Sequence, residues 1–455
     1  MDLPMHRPIP TLSRLLLVPG VLFWLLPAVA HAQGSMIPVP REVNVISPDA
    51  QIESRAGFSG SVLGNLGYDT NISYGSGTAA VVGQRLENVT PGLSMALIPG
   101  IRYTSPQLLE SERTGGKVHY GFEIRGIYRQ YYSSDAEGIN DPRFGAHLGG
   151  TLLYAPSKLF DLQLYEIFDR YTEPHYLVRD TLSQSWIQNQ AGVLLRIIPG
   201  DGLFETVLRY NMNLYLFDGD QLDRSNKMEH NIQARVSYKF LPNSHLWLIG
   251  TYDINSYFDA AGGSDSMPIK VAGGVSTPIL TSLAVSLGGG YGWGLYDSGA
   301  SPDTWLLFAG LQYSMSARLK LQAKYEHTFE DALVGEYSDQ HNFSVGATMP
   351  IGEKLLVTAQ AGLRFVTFAG VPVRFDLPDT TTRADTIFFS DLSVSYKLRP
   401  DLLLQAHYKL MSDSTPYRYV ANTVPDSDPD FGGLPITNNP SYMKHELYLS
   451  LAWHF

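Results

Sequence analysis

The sequence lacks cysteine entirely over its 455 residues. Such a chain has no disulfide framework, no thiolate metal site and no cysteine nucleophile. It also lacks the G-x-S-x-G, H-E-x-x-H and phosphate-loop motifs, and its histidines are scattered without a catalytic spacing. We therefore expect a protein that is not an enzyme and that carries no cofactor or metal.

Positive charge is also scarce. The chain has 33 Lys and Arg residues against 44 Asp and Glu residues, a net charge of −11 and an isoelectric point near 5.5. Nucleic acids bind proteins largely through clustered positive charge. The acidic balance therefore argues against a nucleic-acid partner.

Long apolar runs are missing beyond the N-terminus. Residues 15–30 are apolar, follow two arginines and end at the small-residue site Ala30-His31-Ala32. This pattern predicts a secretory signal peptide over residues 1–32 and a mature chain from about Gln33. The alternative, a membrane anchor, needs roughly 20 apolar residues, and this run is shorter. Since no other run approaches that length, the mature chain can cross a membrane only as a closed β-barrel.

What the sequence does contain is strict alternation of apolar and polar residues. The C-terminal segment shows it best, and residues 228–240, 317–329 and 402–410 repeat it. Alternation of this kind predicts β-strands with one apolar face. In the last strand the apolar face holds Leu447, Leu449, Leu451, Trp453 and Phe455, and the polar face holds Lys444, Glu446, Tyr448, Ser450 and His454.

Connections between the predicted strands alternate between short turns rich in Pro, Gly, Asn and Asp and longer polar loops. Bacterial outer-membrane barrels have short periplasmic turns and long outer loops. We therefore predict an all-β fold, a transmembrane antiparallel up-and-down β-barrel of about 18 strands with an aqueous lumen; 16 strands is the alternative. The predicted strands are 56–69, 90–103, 117–132, 142–155, 158–171, 182–198, 202–217, 227–241, 244–258, 267–277, 281–295, 303–315, 317–329, 338–350, 353–368, 384–399, 401–411 and 442–455.

The predicted barrel covers residues 56–455, and residues 33–55 form a periplasmic leader. Residues 105–116 are long for a periplasmic turn, which leaves room for a short helix. A soluble β-sandwich or propeller is disfavoured because short and long loops alternate and no 40-residue repeat occurs. The apolar set ending in Leu451, Trp453 and Phe455 resembles the signal that the outer-membrane barrel assembly machinery reads.

A barrel of this size encloses an aqueous channel rather than a packed core. Its charged inner residues allow two interpretations. They pair across strands and support the wall, or they line a basic path that attracts anionic solutes. The lumen-lining candidates are Glu123, Arg125, Arg129, Arg209, Arg235, Lys239, Lys320, Lys324, Arg364 and Lys409.

Aromatic residues near strand ends and a long loop offer further candidates. The aromatics either form a membrane-interface girdle or stack on sugar rings in the lumen. The loop 412–441 contains Asp426, Asp428 and Asp430, an incomplete calcium motif that is more typical of an acidic exposed loop. The same loop is long enough to fold inward and constrict the pore. The aromatic candidates are Tyr131, Tyr132, Tyr215, Trp247, Tyr257 and Trp293.

Two short segments carry a family resemblance. Gly67-Tyr68-Asp69-Thr70-Asn71-Ile72 closes the first predicted strand, and Thr90-Pro91-Gly92-Leu93 opens the second. They resemble the β-barrel porin-2 type of outer-membrane protein, in which Gly-Tyr-Asp-x-Asn precedes the first outer loop. The resemblance implies an integral outer-membrane barrel without catalytic residues. It also implies a role in exopolysaccharide export of the Wzx/Wzy type, together with a periplasmic polysaccharide-export protein.

Three functions remain open at this stage. The first is a translocation channel for a secreted polysaccharide, which the resemblance favours. The second is a passive porin for small solutes, with anions as one option, and the third is a structural barrel or adhesin whose outer loops bind a ligand. The residues alone support only a pore in the outer membrane of a Gram-negative bacterium, because a fold does not define its cargo.

Overall fold

A computed structural model describes residues 57–72, 80–81, 84–85, 89–105, 118–133, 140–157, 159–171, 186–200, 202–217, 226–258, 264–298, 301–316, 319–332, 335–372, 380–423, 435–438 and 441–455. The predicted signal peptide, the leader and most of the 105–116 connection lie outside these ranges. The strands are β1 (Gly57–Asp69), β2 (Ala80–Val81), β3 (Gln84–Arg85), β4 (Gly92–Thr104), β5 (Val118–Tyr132), β6 (Arg143–Ser157), β7 (Phe160–Tyr171), β8 (Trp186–Ile197), β9 (Phe204–Phe217), β10 (Lys227–Leu241), β11 (Ser244–Tyr257), β12 (Ile269–Leu280), β13 (Leu283–Trp293), β14 (Asp303–Ser316), β15 (Leu319–Asp331), β16 (Tyr337–Ile351), β17 (Leu355–Pro372), β18 (Thr380–Arg399), β19 (Leu402–Ser414), β20 (Tyr419–Thr423), β21 (Pro435–Asn438) and β22 (Tyr442–His454).

Eighteen of these strands form one closed antiparallel sheet. Each long strand pairs with the next long strand along the chain, and β1 pairs with both β4 and β22, which closes the barrel. All 18 predicted strands are present, so the prediction of 18 is confirmed and the alternative of 16 is wrong. In the part of the chain that the structure describes, no helix is long and apolar enough to span a bilayer.

A small sheet formed by β2, β3, β20 and β21 was not predicted from the sequence. β2 pairs with β21, which connects the loop after β1 to the loop after β19. Both loops leave the long-loop end of the barrel. This sheet is built from segments of two to five residues, too short to show a period-two pattern.

The two faces of the barrel wall differ sharply in chemistry. In β22, Leu449 is 53% exposed and the next residue, Ser450, is 7% exposed. The same alternation continues around the sheet, with apolar side chains on the outside and buried polar side chains on the inside. An exposed apolar outer band with a polar interior is the arrangement of a transmembrane β-barrel.

Tyrosine and histidine form a repeated pair on the outer face. Three tyrosines stand six residues after the start of β9, β15 and β19, and each hydroxyl lies 2.8–3.0 Å from the Nδ1 atom of a histidine on the next barrel strand. Each pair gives a polar aromatic tip on the apolar outer face a hydrogen-bond partner. The pairs are Tyr210–His230, Tyr325–His341 and Tyr408–His445.

A second set of polar contacts lies at the short turns. There the indole Nε1 of Trp453 donates a hydrogen bond of 3.2 Å to Asp401, and Arg399 donates one of 2.9 Å to the same carboxylate. Partial desolvation raises the pKa of Asp401, but its own amide, Trp453 and Arg399 stabilise the ionised form and hold that pKa below its ordinary value. The C-terminal strand is thereby fixed to the turn between β18 and β19.

Phe455 completes the closure of the barrel. Its amide donates to the Gly60 carbonyl at 3.0 Å, and the Gly60 amide donates to the Phe455 carbonyl at 2.8 Å. A Cβ atom at Gly60 would overlap the Phe455 ring. Phe455 therefore fixes the seam between β1 and β22, in addition to its predicted role in an assembly signal.

Deletion of Phe455 should reduce the amount of folded barrel in the outer membrane severalfold. The deletion removes both seam hydrogen bonds and the predicted assembly signal together. The fraction that migrates as a compact species on unheated gels measures the effect, and Phe455→Tyr, which keeps the ring and the backbone pair, is the control. Equal folded fractions for the deletion and the control would contradict the assignment.

Candidate functional site

The inner face of the barrel is the candidate site. All ten lumen-lining candidates lie on the face opposite the exposed apolar side chains. They are distributed around the wall and do not gather at one point. Glu123, Arg125 and Arg129 lie on β5, Arg209 on β9, Arg235 and Lys239 on β10, Lys320 and Lys324 on β15, Arg364 on β17, and Lys409 on β19.

The β5 members of this set are paired. The buried Glu123 carboxylate accepts a hydrogen bond from Arg125 on the same strand and lies 3.5 Å from Arg102 on β4. Arg129 donates to the hydroxyl of Tyr131 at 3.2 Å. On β5, therefore, the charged side chains are paired and support the wall, as the first of the two interpretations states.

The remaining cations are arranged differently. Among the described residues, none of these seven cations forms an ion pair with a carboxylate. The Nε atoms of Arg209, Arg235 and Arg364 are buried and lack a hydrogen-bond partner. Lys409 differs from the other six because the register places it between Asp391 and Glu446. The six cations with no carboxylate directly opposite on a neighbouring strand are Arg209, Arg235, Lys239, Lys320, Lys324 and Arg364.

These cations form two arcs on the inner wall, one on β9–β10 and one on β15–β17. Glu205 lies near the first arc, and Glu326 and Glu330 lie near the second. None of these carboxylates forms an ion pair with the cations, and the cations outnumber the carboxylates in each arc. The positive excess is local, because the chain as a whole is acidic.

Several polar contacts between inner side chains were not predicted from the sequence. Arg196 on β8 donates two hydrogen bonds to Asp161 on β7, at 2.9 and 2.7 Å. Asp169 and Asp391 each accept a histidine contact from a neighbouring strand, at 2.6 and 2.8 Å. Each pair joins residues 16 to 35 positions apart in sequence, so only the strand register reveals it.

A buried cluster at the long-loop end connects distant parts of the wall. Lys227, the first residue of β10, is 3% exposed and lies 2.9 Å from Asp331 at the end of β15. Asp331 also accepts hydrogen bonds from Tyr257 at 2.8 Å and Ser266 at 3.0 Å. Lys227 lies 2.6 Å from Glu229 as well. Since β10 and β15 are not neighbours in the sheet, this rim cluster stabilises the barrel mouth.

Two smaller clusters lie at the same end. Lys444 on β22 contacts Asp69 on β1 and Glu446 on its own strand, each at 2.9 Å, and so supports the closing seam. Arg383 on β18 is paired with Asp385 and stacks on the ring of Tyr417 at 5.9 Å. Burial raises the pKa of Tyr417 to about 12, although the nearby guanidinium opposes the shift.

The predicted aromatic candidates divide between the two faces. Tyr132 and Trp293 are exposed on the outer face, as the membrane-girdle interpretation requires. The other four belong to the inner face. Tyr131 is buried against Ile72. Tyr215, Trp247 and Tyr257 occupy inner positions on β9 and β11.

One inner region is apolar. On β11, Trp247 and Ile249 pack with Leu306 and Phe308 of β14 and with Phe329 of β15. Between them, β12 contributes Ala272 and Gly274 to this face, and β13 contributes Gly288, Gly290 and Gly292. An aromatic and aliphatic patch therefore covers a wall that has almost no side chains of its own.

Metal binding has little support in the described residues. One group of three potential ligands, His327, Asp339 and His341, has ligand atoms within 4.8 Å of one another. The two imidazole rings are stacked 4.1 Å apart with an interplanar angle of 3°. Because a metal lies in the plane of its imidazole ligand, parallel rings cannot share one ion in this arrangement. The predicted acidic motif Asp426, Asp428 and Asp430 lies outside the described residues.

The closed wall, the apolar outer band and the charged inner face define a transmembrane antiparallel β-barrel fold. Solved structures with a similar fold include OccK2 (OpdF) of Pseudomonas aeruginosa, at 12% identity and a TM-score of 0.44, covering 88% of this chain and 100% of that one. The ferric enterobactin receptor PfeA of the same species matches at 10% identity and a TM-score of 0.42, over 89% and 82% of the two chains. The alcaligin outer-membrane receptor FauA of Bordetella pertussis matches at 11% identity and a TM-score of 0.41, over 88% and 77%. No family model and no curated protein matches this sequence.

Proposed function

We propose that this protein is an outer-membrane pore that passes anionic solutes. The observation that carries the proposal is the set of six inner cations without an ion pair or a directly opposite carboxylate. Lysine and arginine side chains that line a pore favour anions. Paired charges, such as those on β5, would only support the wall.

The surroundings of three of these cations favour the binding of an anion. Arg209, Arg235 and Arg364 are partly exposed on the inner face, and none of them is paired with a described carboxylate. An oxyanion that passes along the wall can accept hydrogen bonds from their exposed guanidinium N–H groups. Arginine binds carboxylates with two parallel hydrogen bonds, which suits transient recognition along the wall.

Ion selectivity in planar bilayers tests the proposal. With a KCl gradient across the membrane, the wild-type channel should show a reversal potential that reports chloride preference. Neutralising Arg209, Arg235, Lys324 and Arg364 to Gln together should abolish or reverse that preference. The control variant Lys354→Gln removes an exposed charge at the short turns and should change selectivity much less. A wild-type channel that prefers potassium would refute the proposal.

A second candidate is translocation of an exopolysaccharide with the help of a periplasmic polysaccharide-export protein. The resemblance of residues 67–72 and 90–93 favours it. The inner face also presents many hydroxyl and amide groups, which suit a carbohydrate: Ser276, Ser286, Gln312, Gln322, Asn342 and Gln360.

A deletion strain separates the two candidates. Loss of surface polysaccharide with normal uptake of small anions would support export. Normal polysaccharide with reduced uptake would leave only the passive pore. N-terminal sequencing of the mature protein from outer-membrane fractions tests the proposed removal of residues 1–32 and the proposed location together.

A further inference from the structure

The apolar inner patch contains an unusual row of residues in register across four strands. Trp247 on β11 lies opposite Gly274 on β12, Gly274 opposite Gly288 on β13, and Gly288 opposite Phe308 on β14. The row therefore begins and ends with an aromatic ring and has no side chain between them.

The indole of Trp247 occupies the space above the two glycines. A Cβ atom at Gly274 would lie 2.5 Å from the Cζ2 atom of Trp247, and one at Gly288 would lie 2.5 Å from its Cη2 atom. The Phe308 ring meets the indole edge-on, with the ring centroids 6.3 Å apart and an angle of 66°. The indole is thus held against the wall by backbone on one face and by a second ring at its edge.

The opposite face of Trp247 is not covered in the same way. Ile249, Leu306 and Phe329 in this patch are buried, while Trp247 and Phe308 are only partly buried. Here the wall supports an aromatic surface that still meets the lumen.

Polar groups surround this surface. On β10, Ser237 lies opposite Trp247, with Arg235 and Lys239 two residues to either side on the same face. Neither cation forms an ion pair with a described carboxylate. On the short-turn side, the hydroxyls of Ser276 and Ser286 are 2.7 Å apart.

We propose that Trp247, supported by Gly274, Gly288 and Phe308, is a stacking platform for a sugar ring, and that Arg235 and Lys239 bind a carboxylate carried by that sugar. The proposal rests on the proposed anion pore and names its cargo as an acidic carbohydrate. The C–H face of a pyranose matches the electron-rich face of an indole, and the carboxylate of a uronic acid matches the two free cations.

Channel block by oligosaccharides tests the platform. Oligogalacturonate should block the ion current, a neutral galacto-oligosaccharide of equal length should block it more weakly, and acetate should not block it. Trp247→Ala should weaken block by both oligosaccharides about tenfold, whereas Arg235→Gln/Lys239→Gln should weaken only block by the acidic one. Trp305→Ala removes a ring that is 69% exposed on the outer face and should leave block unchanged.

Two further variants keep the test independent of folding defects at Trp247. Trp247→Phe keeps a smaller ring and should give intermediate block. Gly288→Ala keeps the indole but displaces it from the wall, and should also weaken block. Unchanged block in Trp247→Ala would overturn the platform while leaving the anion pore intact. If the wild-type channel shows no preference for anions, the proposed function is overturned instead.

Discussion

Replacing Lys227 with Met should lower the free energy of unfolding by about 3–5 kcal/mol, the usual cost of breaking a buried ion pair. The substitution leaves Asp331 without its cation, in a site where that carboxylate is 6% exposed. Glu229 loses the same partner at 2.6 Å. Because a methionine side chain is similar in length to a lysine side chain, the loss of unfolding free energy comes from the removed charge rather than from a cavity.

Urea unfolding of the barrel refolded in lipid vesicles measures the effect. Lys239→Met is the matched control, because Lys239 lies on the same face of β10 and forms no ion pair with a described residue. The double variant Lys227→Met/Asp331→Leu removes both buried charges and should recover much of the stability. Equal destabilisation by Lys227→Met and Lys239→Met would show that the rim cluster does not stabilise the barrel mouth.

The wall of this barrel was predictable because its signal is local. Alternation puts Leu447, Leu449 and Leu451 on one face whatever their strand neighbours are, and turn residues mark each reversal. The even spacing of the turns then gives the number of strands. The small sheet of β2, β3, β20 and β21 was missed because two to five residues carry no period.

The inner chemistry was only partly predictable. Sequence alternation identified which charges face inward but not their partners, since partners depend on register between strands. Glu123 and Arg125 are paired while Arg209 and Arg235 are not, although all four fit the same pattern. The rim contact between Lys227 and Asp331 spans 104 residues and five steps around the sheet, beyond any local signal.

Trp247 and Trp293 show the same limit for aromatic residues. Both were candidates for the lumen or the membrane girdle, and the structure places the first inside and the second outside. What distinguishes Trp247 is the glycine pair on the neighbouring strands. Glycine in a strand interior marks a close approach of another group, and only the register shows that this group is the indole.

Gly290 is one of the glycines on the inner face of β13, and we expect a substitution there to cause a large loss of stability. Its Cβ atom would overlap the Val271 carbonyl oxygen and lie 2.5 Å from the Cα atom of Ala272. These are backbone atoms of β12, so no side-chain rotation relieves the clash. Gly290→Ala should therefore cost about 3 kcal/mol or more, at or above the upper end of ordinary overpacking, by forcing β12 and β13 apart.

The adjacent Gly289 is the control for this substitution. It faces outward, and a Cβ atom there would meet its nearest neighbours at 3.4 and 3.6 Å, which is ordinary contact. Gly289→Ala should therefore leave stability within about 0.5 kcal/mol of wild type. The urea midpoint and the compact fraction on unheated gels measure both variants. If Gly290→Ala folds as well as Gly289→Ala, then β12 and β13 tolerate a side chain on their inner face, and the predicted clash with the β12 backbone is wrong.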